Sequence, residues 1–190
     1  MRVAEPGLPE EAAPGLLEAC RRGDREAFRE LFLLYRERVY TTALFLTRRS
    51  SAAADITQQV FLKLLTHIGT FRGESRFGTW LVQIAVNAAR DEARRSRRFI
   101  PAADSFSEMP SPESRPDDRL AEGEQKRLLW RAIDALPFRL RAPVVLRYLE
   151  DRSYDEIAEA LGCSKGTVAS RLHRAHAILA SRLGTPAGKG

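Results

Sequence analysis

Cysteine, histidine and long apolar runs are all scarce in this chain, and each scarcity removes a class of function. Only two cysteines and three histidines occur in 190 residues. Cys20 and Cys163 lie in separate segments without a CxxC pair, and both read as small core residues, neither ligands nor a disulfide. His173 and His176 are three apart, but the only further candidate ligand nearby is Cys163 across a turn, so no metal site and no cofactor are expected. The chain holds no P-loop, no GxSxG, no HExxH and no paired carboxylates in a pocket pattern, so it is not expected to be an enzyme. No apolar stretch approaches the roughly 20 residues that span a bilayer, and no signal-peptide pattern opens the chain. A cytoplasmic protein without membrane insertion is the expectation. Alternating strand patterns and internal repeats are also missing.

What remains is helical pattern and clustered positive charge. The formal charge is +6 and the isoelectric point near 9.8, which favours an anionic partner. In the segment from Ser153 to Leu179, Ser153 and Glu156 have capping-box spacing, Gly162 can end the first helix and Ser164 can cap a second. Ile157, Ala158 and Leu161 face one way on the first helix, and Val168, Leu172, Ala175 and Leu179 on the second. That turns Ser170, His173 and Arg174 outward, with Lys165, Thr167 and Arg171 at the start or flank. From Lys165 to Arg182 there are four Lys or Arg and no acid, the pattern a major-groove helix needs. A helix-turn-helix says DNA, but not which process.

Upstream, Asp24 can cap a long helix with Phe28, Leu31, Phe32, Tyr35, Val39, Ala43 and Leu46 in one stripe. A second helix is expected from about Ser51 to His67, with Ile56, Val60, Phe61, Leu64 and Ile68 inward. A third carries Phe77, Trp80, Leu81, Ile84 and Ala88. Three stripes make one small helical core, so the expected fold is all-α, with two small helical domains. We delimit a disordered lead-in at 1–14, a helical domain at 15–100, an acidic flexible linker at 101–124, a helix-turn-helix domain at 125–183 and a tail at 184–190 too short for a further domain. The linker holds four prolines and seven acids against two arginines, a net −5. Beyond it, helix is expected near Gln125 with Leu128, Leu129, Ala132, Ile133 and Leu136, to stop at Pro137 and to restart around Pro143.

Two further clusters stand out. Arg90 to Arg98 contains five arginines and two acids, which alone would read as a solvated helix end. It follows the loop Phe71, Arg72, Gly73, Glu74, Ser75, Arg76, Phe77, whose aromatic and guanidinium planes suit unpaired bases, with Trp80 a core residue rather than a platform. Asp55, Gln58 and Gln59 share a helix face and suit either solvent or a partner helix.

Taken in order, GDREAFRELFLLY, ADITQQVFLK, FRGESRFGTWLVQIAVNAARDEARR and ALPFRLRAPVVLRYLEDRSYDEIAEALGCSKGTVASRLHRA resemble a bacterial RNA polymerase sigma factor of the extracytoplasmic-function class, over most of residues 16–182. The resemblance implies a region-2-like domain that binds core polymerase and the minus-10 element, and a region-4-like domain that binds the minus-35 element. It implies that Asp55, Gln58, Gln59 and Phe61 meet the coiled coil of the largest polymerase subunit. Family members commonly have a glutamate at the position of Ala54, so one charged contact is missing here. Phe71, Arg72, Ser75 and Arg76 would capture a flipped minus-10 base, with Asn87, Arg90, Arg94 and Arg95 along the melting junction, and the helix-turn-helix would read minus-35 DNA through Lys165, Thr167, Ser170, Arg171 and Arg174. The implied partners are core RNA polymerase, its flap included, promoter DNA both duplex and single-stranded, and an anti-sigma protein wedged between the domains. The free protein would be a monomer, its regulon one of stress or envelope response, and its linker would thread the polymerase cleft. The alternative is a free-standing helix-turn-helix regulator whose N-terminal domain senses a ligand or dimerises. Such a sensor needs no FRGESRFGTW loop followed by an arginine run.

Overall fold

The computed structural model describes residues 12–73, 75–99 and 120–183, with the side chains of 96–99 and 120–126 left aside. The expected lead-in up to residue 11, the linker from 101 to 119 and the tail lie outside the described residues. Eight α-helices occur among the described residues, with no strand, and they fall into two compact units.

In the first unit, α1 (Pro14–Arg21) and α2 (Arg25–Thr47) are separated by a reversal that their residues dictate. Gly23 takes φ +84°, the left-handed value that glycine adopts without steric cost, and the Asp24 N–H closes back on Ala19 O at 3.1 Å. The Asp24 carboxylate then accepts from the N–H groups of Glu26 (2.9 Å) and Ala27 (3.2 Å), capping α2 as its sequence position requires. Helix α3 spans Ser50–His67, a 3-10 turn follows at Ile68–Thr70, and α4 spans Phe77–Phe99. The expected stripes form the core: Leu31, Tyr35, Val39, Ala43 and Leu46 of α2, Ile56, Val60, Phe61 and Leu64 of α3, and Phe77, Leu81 and Ala88 of α4 are buried. Phe32 departs from its stripe and is 38 % exposed. Cys20 is buried beside α2, where burial first, with Asp24 and Glu30 adding to it, pushes its thiol pKa up.

In the second unit, α5 spans Leu120–Asp134 and α6 spans Phe138–Tyr148. Two expectations are corrected here. Residues 120–124, assigned to the linker, are the first turn of α5. And α6 starts directly after Pro137 and carries Pro143 in its interior. Pro137 supplies the extended residue that opens the helix, whereas Pro143 removes one backbone donor. Burial of Leu140, Ala142, Val144, Val145 and Leu146 offsets that loss. Helices α7 (Tyr154–Leu161) and α8 (Lys165–Leu183) follow, and α8 is the packing centre of this unit, resting on α5, α6 and α7.

One polar group inside this unit was not expected. Arg141 is buried, and its Nη1 donates to the carbonyls of Asp134 (3.1 Å) and Leu136 (2.9 Å), two acceptors at the end of α5 that lack helical partners. Burial lowers its pKa to about 10, so the cation persists at neutral pH and staples α6 to the end of α5.

Candidate nucleic-acid interface

The helix-turn-helix is assembled by local chemistry at each joint. Ser153 Oγ accepts from Glu156 N–H (3.3 Å), while the Glu156 carboxylate accepts from Ser153 N–H (2.8 Å), so the capping box closes both ways. Gly162 takes φ +59°, and Cys163 N–H returns to Ala158 O at 3.0 Å, turning the chain. Ser164 Oγ accepts from Thr167 N–H at 3.2 Å and starts α8.

Val168, Leu172, Ala175 and Leu179 are all buried, which leaves Lys165, Ser170, His173 and Arg174 exposed and Thr167 and Arg171 half-buried. Cys163 is a correction: it is half-exposed in the turn, not in the core, and Arg171 Nη1 lies 3.7 Å from its Sγ. His176 is engaged by the Tyr148 hydroxyl at 2.9 Å. Among the described residues no cluster of three or more His, Cys, Asp or Glu could hold a metal ion.

Ahead of this motif sits an ion network that the sequence did not announce. Arg152 is buried, with Nη2 4.0 Å from the buried Glu150 carboxylate and Nη1 3.3 Å from that of Glu156. Arg147 Nη1 in turn donates to the Arg152 carbonyl at 3.0 Å. The network ties the end of α6 to the first turn of α7. Burial on its own would raise the Glu156 pKa, but the Ser153 backbone and hydroxyl donors and the Arg152 cation outweigh it and hold the carboxyl below its ordinary 4.5. A depressed carboxylate stabilises the fold above its unfolded-state pKa, and that contribution is lost as pH falls through the folded one. Glu156→Gln should therefore destabilise the protein at neutral pH and progressively less below pH 4.5, in paired denaturant titrations.

In the first unit, Arg72, Ser75 and Arg76 are exposed, as is Asn87 on α4, with Arg90 half-buried; Arg94 and Arg95, farther along the same helix, are exposed. Asn87, Arg90 and Arg94 are spaced i, i+3, i+7 and form one row along α4, with Arg95 beside it. Phe71 is placed differently from the expectation: only 7 % exposed, its ring sits 5.4 Å from Phe77 and 5.5 Å from Trp80. It packs beneath the loop against these two rings. Trp80 is half-buried on the same cluster.

On α3, Asp55, Gln58 and Gln59 are exposed, but Phe61 is buried and meets the partly exposed Phe32 edge-on at 4.8 Å. The face continues in Leu62 and Leu65, 62 % and 51 % exposed. Sequence reading passed over these two because helical periodicity alone assigns a leucine to the core. Both lie on the α3 face that carries the two amides.

Two sequence families cover this geometry. Residues 31–99 match the family described as Sigma-70 region 2, and residues 126–179 match Sigma-70, region 4. The chain is 34 % identical over 179 residues to the ECF RNA polymerase sigma-E factor of Haemophilus influenzae, covering 88 % of this chain and 93 % of that one. It is a sigma-70-family sigma factor of the extracytoplasmic-function class. The sigma-E factor of Escherichia coli K12 is similar at 33 % identity over 183 residues, with 88 % and 92 % coverage. The fold of the Bartonella quintana sigma factor RpoE, solved in complex with the anti-sigma factor NepR, superposes with a TM-score of 0.65 at 23 % identity, over 84 % of this chain and 98 % of that chain. As a sigma factor the chain directs promoter-specific initiation by RNA polymerase, binding core enzyme and promoter DNA, and belongs to a non-enzymatic class of initiation factors. No described helix of this sigma factor is long and apolar enough to cross a membrane.

Proposed function

We propose a division of labour within this sigma factor, carried chiefly by one observation: three exposed sets of polar or basic side chains stand on three separate, well-packed supports. The exposed face of α3, Asp55, Gln58 and Gln59 extended by Leu62 and Leu65, docks on core polymerase. Phe61 and Phe32 shape that face from below. Arg72, Ser75 and Arg76 meet the unpaired minus-10 strand, with Asn87, Arg90, Arg94 and Arg95 along the junction, while Phe71 positions the loop. Lys165, Thr167, Ser170, Arg171 and Arg174 read the minus-35 duplex. Residues 15–100 and 125–183 act as the two promoter-binding domains, the latter beginning a few residues earlier, with α5. The crystallised relative bound to an anti-sigma factor supports a similar inhibitor for this chain, which would work in the cytoplasm beside polymerase.

Run-off transcription with core polymerase, with and without the protein, tests the whole reading. Protein-dependent start sites are expected, and their absence would overturn it. The free-regulator alternative predicts tight unaided binding to duplex promoters, whereas a sigma factor needs core enzyme. Arg174→Ala should weaken holoenzyme binding to minus-35 duplex by about five- to 150-fold, the worth of one base-edge contact of about 1–3 kcal/mol, and relax preference at one base pair.

One carboxylate opposes this reading helix. Asp155, at the start of α7, lies 2.7 Å from Lys165 Nζ, both exposed, and so occupies a cation that a phosphate would otherwise take. Exposed pairs are worth about 0.2–1 kcal/mol, so Asp155→Asn should tighten minus-35 binding by roughly up to fivefold and steepen its salt dependence. Fluorescence anisotropy across a salt series measures both.

A further inference from the structure

Helix α1 has so far no part in promoter recognition, yet its last turn reaches the base-capturing loop. Arg21 Nη2 donates to the carbonyl of Phe71 at 2.7 Å, across fifty positions of sequence, while Nη1 donates to Glu18 at 3.1 Å. The guanidinium is thus oriented from one side by Glu18 and spends its other arm on a single peptide. That peptide is the one joining Phe71 to Arg72. The residue before it is fixed as well: Phe71 N–H, in the preceding peptide, donates to Ile68 O at 3.2 Å, and the Phe71 ring is packed against Phe77 and Trp80. Immediately beyond it the chain turns, with Gly73 at φ +75°. A change in ψ at Phe71, which the bond from Arg21 to its carbonyl resists, therefore redirects the chain at Arg72.

We propose that Arg21 is a positioning residue for strand capture: it fixes the Phe71–Arg72 peptide and thereby the exit direction of Arg72 toward the unpaired strand. The guanidinium suits the role because its planar fork serves two acceptors at once, carboxylate and carbonyl, with little remaining freedom. Helix α1 thereby belongs to the melting machinery, not to a mere N-terminal extension of the core. The inference rests on the assignment of Arg72 to the minus-10 strand.

The test uses holoenzyme and a short single-stranded oligonucleotide carrying the non-template minus-10 sequence of a promoter mapped by run-off transcription. Arg21→Ala should weaken its binding by about three- to tenfold, the worth of one ordinary part-buried hydrogen bond, and leave minus-35 duplex binding unchanged. Arg21→Lys, which retains one donor to the carbonyl, should recover part of the loss. Arg72→Ala is the control for the underlying assignment. If Arg72→Ala weakens the oligonucleotide and Arg21→Ala does not, the positioning role is wrong while the assignment stands. If Arg21→Ala weakens oligonucleotide and minus-35 duplex alike, the effect is a general loss of folding and the inference is overturned. If Arg72→Ala itself has no effect, the assignment on which the inference rests has failed.

Discussion

Replacing Arg94 and Arg95 together by alanine should reduce promoter opening tenfold or more while upstream duplex binding is retained. Both side chains are exposed on α4, in line with or beside Asn87 and Arg90, downstream of the loop proposed to meet the minus-10 strand. Opening costs a few kcal/mol for each base step unstacked, and cations placed along the separated strand offset that cost only in the open state. Two contacts of about 0.7–1.5 kcal/mol each sum to one or two decades in the opening equilibrium. Because single-stranded phosphates contribute about 0.7 per contact to the salt slope, the slope for opening should fall by roughly 1.4. Lysine at both positions retains the charge and should preserve most of the activity, which separates electrostatics from helix packing. Permanganate reactivity of minus-10 thymines is the direct readout. Undiminished reactivity in the double alanine variant would remove the role given to this helix.

Arg152→Ala is expected to have the second large effect, on stability. Its side chain is 6 % exposed and faces Glu150, whose side chain is 1 % exposed, so the variant loses a cation that faces a buried carboxylate. Breaking one side of a buried pair costs about 3–5 kcal/mol, a large share of the 5–15 kcal/mol that stabilises a whole domain. The second unit also loses the link from α6 to the capped start of α7, so minus-35 binding should fall with it. Trp130 on α5 reports this unit in a Trp80→Phe background, where urea titration should show its transition shifted strongly downward. A midpoint shift worth under about 1 kcal/mol would show that the second unit does not depend on Arg152 for its stability.

These two sites differ in how visible they were. The arginine run on α4 and the capping residues Ser153, Glu156, Gly162 and Ser164 could be read in advance, because caps, turns and helical stripes are decided within four or five residues. Val168, Leu172, Ala175 and Leu179 obeyed the same short-range rule and are buried as expected. Arg141 and Arg152 could not be read, since an arginine is normally a surface residue. Each becomes interior only because another element supplies its acceptors, the end of α5 for one and Glu150 with Glu156 for the other. Pro143 misled for a related reason: it looks like a helix start, yet burial along α6 outweighs one missing hydrogen bond.

The candidate site divides along the same line. The exposed members, Arg72, Arg94, Lys165 and Arg174 among them, were legible as charge at helical or loop positions. Phe71 and Phe61 were not, because an aromatic residue in a polar stretch reads equally as ligand contact or anchor. Only the tertiary structure shows the rings packed beside each.

By itself, then, the order of residues determined an all-helical chain, the helix-turn-helix with its caps, the clustering of cations and the sigma-factor motifs, all properties of neighbours along the chain. Tertiary structure alone decided that Phe71 faces inward, that Arg141 and Arg152 staple helices, that Leu62 and Leu65 stay exposed, and that Arg21 holds the Phe71 carbonyl from fifty residues away. Those outcomes depend on which distant groups share a volume, and burial and hydrogen bonding act on that proximity whatever the separation in sequence.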